Sequence, residues 1–157
     1  MSNTQVVTPH LVVKDANAAI DFYKKALGAI ETLRMPAQDG KRLMHAEIQL
    51  NGARVFLMDD FPEHRGPGDH VDAVFPPDQM KGTSVTMHLE VENCDTAVKR
   101  ARDAGATVTM EPWDSFWGAR YARIIDPFGV RWGIATHQED LSPEDVVRRA
   151  AQAGAAA

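Results

Sequence analysis

Six histidines and one cysteine are the side chains of this 157-residue sequence best suited to acid–base, metal or nucleophilic chemistry. Two of the histidines have matching surroundings. His10 stands two positions after Thr8 and His88 two positions after Thr86, and the pairs are 78 residues apart. In an extended strand a spacing of two sets both side chains on one face. Thr8, His10, Thr86 and His88 are therefore candidates for one shared site. Two readings stay open for the histidines. They form a metal-ligand pair or a general base with its partner, or they only hydrogen-bond a ligand. The strand period is expected to place no carboxylate beside either histidine.

Three further stretches carry candidate chemistry. In His45-Ala46-Glu47 the apolar residues Met44, Ala46, Ile48 and Leu50 claim one strand face, which leaves His45, Glu47 and Gln49 on the other. Glu47 with His45 makes an acid–base or second metal pair, or a polar cross-strand ladder running to Arg54. The offset makes Arg123 and Ile125 their counterparts, and Arg123 a candidate to bind an anionic group. In Phe116-Trp117-Gly118-Ala119-Arg120-Tyr121, Trp117 could stack on a planar ligand while Arg120 holds a carboxylate or phosphate. The alternative is a loop whose aromatics plug the end of the fold. Phe56 and Trp113 add apolar surface suited to an aromatic ligand. Cys94 opens a helix but has no histidine placed beside it, so it reads as an ordinary small residue. His64 and His70 lie among Asp and Gly and read as solvent-exposed.

Composition limits what such groups can act on. Seventeen basic against 22 acidic residues give a net charge of −5, with no basic block. Nucleic acid and anionic membranes are therefore poor partners. No apolar run is long enough to span a bilayer, and no basic segment leads an apolar one as in a signal peptide. One cysteine excludes a disulfide framework and a cysteine-cluster zinc site. A cytoplasmic protein acting on a small molecule is expected. There is no P-loop and no Gly-x-Ser-x-Gly elbow.

The elements that must position these residues occur twice. Val13 to Gly28 aligns with Val91 to Gly105, and Asp39-Gly40-Lys41-Arg42 with Trp117-Gly118-Ala119-Arg120. Asn51-Gly52-Ala53-Arg54-Val55 aligns with Phe128-Gly129-Val130-Arg131-Trp132. In the first copy a strand over Val7–Val13 leads to a helix capped by Asp15 and ended by Gly28. Ala16, Ala19, Ile20, Tyr23 and Leu27 form its apolar stripe. Strands follow near Glu31–Met35, Leu43–Leu50 and Arg54–Asp59, the last two joined by an Asn51-Gly52 hairpin turn. The second copy predicts a strand over Ser84–Val91, a helix over Cys94–Ala104, and strands near Thr107–Glu111, Ala119–Ile125 and Val130–Thr136. Ser142-Pro143-Glu144-Asp145 starts a last helix. The fold class is α+β. Two βαβββ modules, 5–60 and 83–137, are joined by a linker over 61–82 and followed by a C-terminal helix and tail over 138–157. Related by a pseudo-twofold, they are expected to form a curved mixed sheet around a cleft. Exposed strand edges predict a homodimer, in which the linker could let modules exchange between chains.

The double module, Val13-Lys14-Asp15 with Phe22-Tyr23 and Leu27-Gly28, and Asp126-Pro127-Phe128-Gly129 before the last strand resemble the vicinal oxygen chelate superfamily. That superfamily includes glyoxalases, extradiol dioxygenases, methylmalonyl-CoA epimerases and bleomycin- or fosfomycin-resistance proteins. His45-Ala46-Glu47, Phe116-Trp117-Gly118 with Arg120-Tyr121, and Trp132 through His137 look like its PhnB-like subgroup. The resemblance covers roughly residues 5 to 140.

Metal-using members hold a divalent cation with His, Glu or Gln at one early position in the first strand and one in the last strand of each module. Carried over residue by residue, those positions are Thr8, Phe56, Thr86 and Gly133. Phe56 and Gly133 offer no side-chain donor, and a threonine hydroxyl is a weak neutral ligand. The resemblance thus implies the fold and argues against the usual metal.

Two functions from different classes follow. The first is a glyoxalase/bleomycin-resistance-like protein that binds a small, partly aromatic molecule in the cleft, with no cofactor. Its ligand-binding residues are Thr8, His10, Phe56, Thr86, His88, Trp117, Arg120 and Arg123. The second is a metal-dependent lyase, isomerase or dioxygenase with its divalent metal relocated to His10 and His88, where His10, His88 and Glu47 are the candidate catalytic groups.

Overall fold

A computed structural model of the chain describes residues 7–65 and 73–154. His70 lies outside the described residues. The chain divides into two compact units. The first comprises the described residues up to Ser84 with Pro127–Val130, and the second comprises Val85–Asp126 with the residues from Arg131 onward.

The first unit runs β1 (His10–Val13), α1 (Ala16–Leu27), β2 (Ile30–Pro36), β3 (Leu43–Leu50) and β4 (Ala53–Asp59). Its sheet has the order β1-β4-β3-β2, with β1 parallel to β4 and the other pairs antiparallel. The helix forms as its sequence requires. Asp15 accepts from the Ala18 amide at 2.9 Å and caps the N-terminus, and Gly28 ends the helix in the left-handed region at φ 71°. All five expected stripe residues are buried, joined by Phe22 and Ala26. They cover the sheet face that carries Ala46, Ile48, Val55 and Leu57. Phe128 adds its ring to this core beside Phe22 and Tyr23, at centroid distances of 6.2 and 6.4 Å. The β3–β4 hairpin turns through Asn51 at φ 48° and Gly52 at φ 86°, the double positive φ of a type I′ turn.

The second unit repeats the plan with β5 (Met87–Glu90), α3 (Cys94–Asp103), β6 (Thr107–Asp114), β7 (Ala119–Ile125) and β8 (Arg131–His137), in the order β5-β8-β7-β6. Asn93 caps α3 by accepting from the Thr96 amide at 2.9 Å. Ala122, Ile124, Trp132 and Ile134 are buried in its core, where the Trp132 indole donates to Asp126 at 3.0 Å. A last helix, α4 (Pro143–Gly154), is capped by Ser142, which accepts from the Asp145 amide at 3.1 Å.

The ladders fix the equivalence of the two modules. His10 pairs with Phe56 and Phe56 with Glu47, while His88 pairs with Gly133 and Gly133 with Arg123. Val13 and Val91, three residues on, therefore hold equivalent positions. The first strands are shorter than expected. β1 begins at His10 and β5 at Met87, so Thr8 and Thr86 precede their strands. β6 is longer than expected and carries Trp113 within it.

The stretch expected as a linker contains α2 (Pro77–Met80). It is tied to the first unit by hydrogen bonding of Gln79 to Asp60 at 2.9 Å and by the fully buried Pro76. Among the described residues, no helix is long and apolar enough to cross a membrane.

At the end of β4, Asp59 is only 3% exposed. Its carboxylate accepts from the Ala16 amide at 2.8 Å and the Leu43 amide at 2.6 Å. It thereby ties the start of α1 and the start of β3 to β4. Asp59→Ala strands two buried amides and is expected to cost about 2–4 kcal/mol. Asp59→Asn keeps an acceptor oxygen and is expected to cost less. Urea unfolding of the two variants checks the order, and equal stability for Asp59→Ala and wild type would refute the clamp.

Candidate functional site: two open sheet faces

Each sheet has one face under its helix and one face turned away from it. The candidate residues sort onto these faces by strand parity.

On the first unit's open face, His10 of β1, Phe56 of β4 and Glu47 of β3 lie in one row of the ladder. His45, two residues before Glu47, completes the group. The His10 and His45 rings meet edge to face at 5.7 Å, and both approach Phe56, at 5.9 and 4.9 Å. His45 Nε2 lies 3.3 Å from Glu47 Oε1. The expected His45–Glu47 pair thus exists, and β1 brings His10 to it. The Arg54 guanidinium lies 5.8 Å from the centre of the Phe56 ring on the same face. Partial burial lowers the His10 pKa below its ordinary value of 6.5, and repulsion from His45 lowers it further. A neutral imidazole here can accept a hydrogen bond or a proton.

The second unit's open face is aromatic and cationic. His88 stacks on Tyr121 with centroids 6.1 Å apart and planes 12° apart. Trp117 meets Tyr121 edge on at 5.3 Å, and Trp113 and Phe116 meet Trp117 at 5.5 and 4.9 Å. The Tyr121 ring lies over Gly133. A Cβ at Gly133 would fall 2.9 Å from the Tyr121 ring and hydroxyl and 3.2 Å from His88 Nδ1. Arg123 lies between Met110 and Gly133 in the ladder. Its Nη2 donates to the Met110 sulfur at 3.6 Å, and its Nε is buried without a hydrogen-bond partner.

Three expectations need correction. His88 does have a carboxylate beside it, because Glu90 follows at the same spacing of two and reaches its Nε2 at 2.8 Å. The counterparts of His45 and Glu47 are Tyr121 and Arg123, not Arg123 and Ile125. β7 starts directly after Gly118, whereas Lys41 and Arg42 intervene between Gly40 and β3, so the offset there is 76. Arg120 lies on the helix side of its sheet. Asp95 of α3 holds its guanidinium at 2.9 Å and Asp114 adds a contact at 3.3 Å, within a cavity of ≈ 320 Å³ that Cys94 also lines. That places Arg120 opposite Tyr121 and Arg123 rather than beside them.

The remaining candidates are accounted for simply. Thr86 is exposed and Thr8 half-buried, each ahead of its strand. His64 is exposed and stacks on Phe61. Cys94 is buried, donates to the Ile134 carbonyl at 3.4 Å, and has its thiol pushed up to about 11, first by burial and then by Asp95. It is no ready nucleophile at neutral pH.

The four positions implied for a metal do not fit one. Phe56 has no donor atom. Gly133 has none either, and the space a ligating side chain would enter is filled by Tyr121 and His88. Among the described residues, no group of three or more His, Cys, Asp or Glu is arranged to hold a metal ion.

The chain belongs to the glyoxalase/bleomycin resistance protein/dioxygenase superfamily, whose family model matches residues 5–134. It is 41% identical over 140 residues to an uncharacterized protein of Mycobacterium tuberculosis, covering 89% of this chain and 79% of that one. Among solved structures it is similar to TnmS3, an antibiotic binding protein from Streptomyces sp. CB03234, at 24% identity and a TM-score of 0.59 over 88% of this chain and 99% of that one. It also shares its fold with the PhnB protein of Bacillus cereus, at 15% identity and a TM-score of 0.60 over 84% of this chain and 99% of that one.

The first face yields a titration with a definite sign. The His10 midpoint is expected below 6.5 by NMR. Removing His45 in His45→Ala should raise it only part of the way back, because burial is the larger cause. A folded-state value below the unfolded one means that His10 costs no stability above pH 6.5. It destabilises the fold as pH falls through 6.5 to the folded midpoint. A His10 midpoint at or above 6.5 would contradict this arrangement.

Proposed function

We propose that this protein binds a small, partly aromatic molecule on its open sheet faces, without the superfamily's usual metal. The observation that carries this reading is the run of rings from His88 through Tyr121 and Trp117 to Trp113. Such a surface presents planar area at low entropic cost and suits stacking on a planar ligand. The TnmS3 likeness supports a binding role as one use of this fold, since that protein binds an antibiotic. The donor chemistry at Thr8, Phe56, Thr86 and Gly133 favours binding without a cation. Trp117, His88 and Arg123 are the ligand-facing residues of the second face, and His10, Phe56 and Glu47 those of the first.

The metal-dependent lyase, isomerase or dioxygenase remains the second reading. The observation that favours it is the His10, His45 and Glu47 group, which has the donor types of a catalytic centre. The finer placement in a PhnB-like subgroup rests on the motifs around His45, Trp117 and Trp132.

We also propose a homodimer. β2 is an edge strand with Ile30, Leu33 and Met35 exposed, and a second copy would cover such an edge. Sedimentation at micromolar concentration should give twice the chain mass, and a monomer alone would refute the dimer.

The binding reading is tested with a neutral planar probe, 2-naphthamide, by calorimetry on EDTA-treated protein. Saturable binding, unchanged by EDTA and weakened about tenfold or more in Trp117→Ala, is expected. One equivalent of Zn, Mn, Ni or Fe per chain, required for a measured turnover and lost in His10→Ala, would establish the enzyme instead.

A further inference from the structure

The second open face contains a charged group that its own fold does not satisfy. An arginine is always protonated, and a buried guanidinium N–H without an acceptor is costly. Elsewhere in the chain the fold supplies carboxylates. Arg34 holds Glu31, Arg42 holds Asp39, Arg102 holds Glu111 and Arg120 holds Asp95. Arg123 has no carboxylate partner among the described residues. Its Nε is buried and unpaired, and Nη2 has only the sulfur of Met110 at 3.6 Å. Nε and one terminal nitrogen form the side-on edge of the guanidinium, which matches the two oxygens of a carboxylate. A thioether sulfur is a weak acceptor for such an edge. The same sulfur also accepts from the Trp113 indole at 3.2 Å, so Met110 links the cation to the aromatic run. Methionine is unbranched and flexible, and is the side chain that can swing away to admit a stronger acceptor. On the other side of Arg123 in the ladder, Gly133 projects no side chain.

We propose that the ligand of this face is an aromatic carboxylic acid. Its ring lies against Tyr121, Trp117 and Trp113, and its carboxylate displaces the Met110 sulfur from the Nε–Nη2 edge of Arg123. This inference rests on the binding reading above and names the chemical class of the ligand.

The test compares 2-naphthoate with its neutral isostere 2-naphthamide by calorimetry, on wild type and on Arg123→Gln. Wild type should bind the acid at least tenfold more tightly than the amide, as a charged hydrogen-bonded pair provides. Arg123→Gln should lose the acid preference and bind both probes alike. Circular dichroism checks that the variant folds. Should it not, Arg123→Lys keeps the charge without the fork and is expected to retain only part of the preference. Equal binding of acid and amide by wild type would overturn the acid assignment while leaving the aromatic reading standing. Binding of neither probe at millimolar concentration would remove both. An acid preference that survives in Arg123→Gln would place the anion site elsewhere and overturn the role of Arg123.

Discussion

A sheet has two faces, and each module of this protein owns one helix that covers one of them. The rest of the structure follows from that shortage. The helix side of each sheet takes the large apolar residues and closes into a core around Tyr23 in one unit and Trp132 in the other. The opposite side collects the half-buried polar and aromatic residues that the core cannot use. Strand alternation makes the division strict, because moving a residue by one position moves it to the other face. Asp59 holds this division in the first unit, since its carboxylate fixes where α1 starts over the sheet and where β3 begins. In the second unit the position equivalent to Asp59 is Thr136, whose hydroxyl donates to the Val91 carbonyl at 3.0 Å. At that position the second copy bonds back to just past the end of its first strand instead of to the start of its helix.

The duplicated positions have diverged in a consistent direction. His10 and His88 are retained at one row of each sheet. Around them Phe56 is matched by Gly133, Glu47 by Arg123 and His45 by Tyr121. One face pairs an acid with two imidazoles, and the other pairs a cation with a run of rings. A face of the first kind can accept protons and hydrogen bonds. A face of the second kind can hold a flat molecule and a negative group. Duplication supplied two similar platforms, and substitution at three positions gave them different chemistry.

Most of the fold was legible because its signals are local. The α1 stripe, its Asp15 cap and Gly28 stop, the Asn51-Gly52 turn and the Leu43–Leu50 alternation each depend on a few neighbouring residues, and all are found as read. The site was legible in type but not in grouping. Parity along β3 set His45 and Glu47 on the open face, yet nothing in the sequence brings His10 to them. That contact depends on the parallel pairing of β1 with β4, which is non-local. Glu90 was a different kind of miss, because the spacing rule that linked His10 to Thr8 also links Glu90 to His88. The counterparts of His45 and Glu47 were misread because the modules differ by two residues before the third strand. An even difference preserves the face and shifts the row, so Arg123 kept its side while its counterpart changed from His45 to Glu47. Arg120 itself follows an alternation that the buried Ala122 and Ile124 already assign to the helix side.

The pair Phe56 and Gly133 decides much of what the two faces offer. Both occupy the row that a metal-ligating side chain would use, and they differ by a whole aromatic ring. Phe56 packs against both His10 and His45, so an apolar ring stands beside the two imidazoles where a further donor would be needed. Gly133 leaves the equivalent space open, and the Tyr121 ring enters it to stack on His88. A carboxylate restored at position 133 would have to expel that ring, and with it the support for Trp117. The aromatic run and the usual metal site are therefore mutually exclusive uses of the same row. The second module has the residue that permits the first and forbids the second.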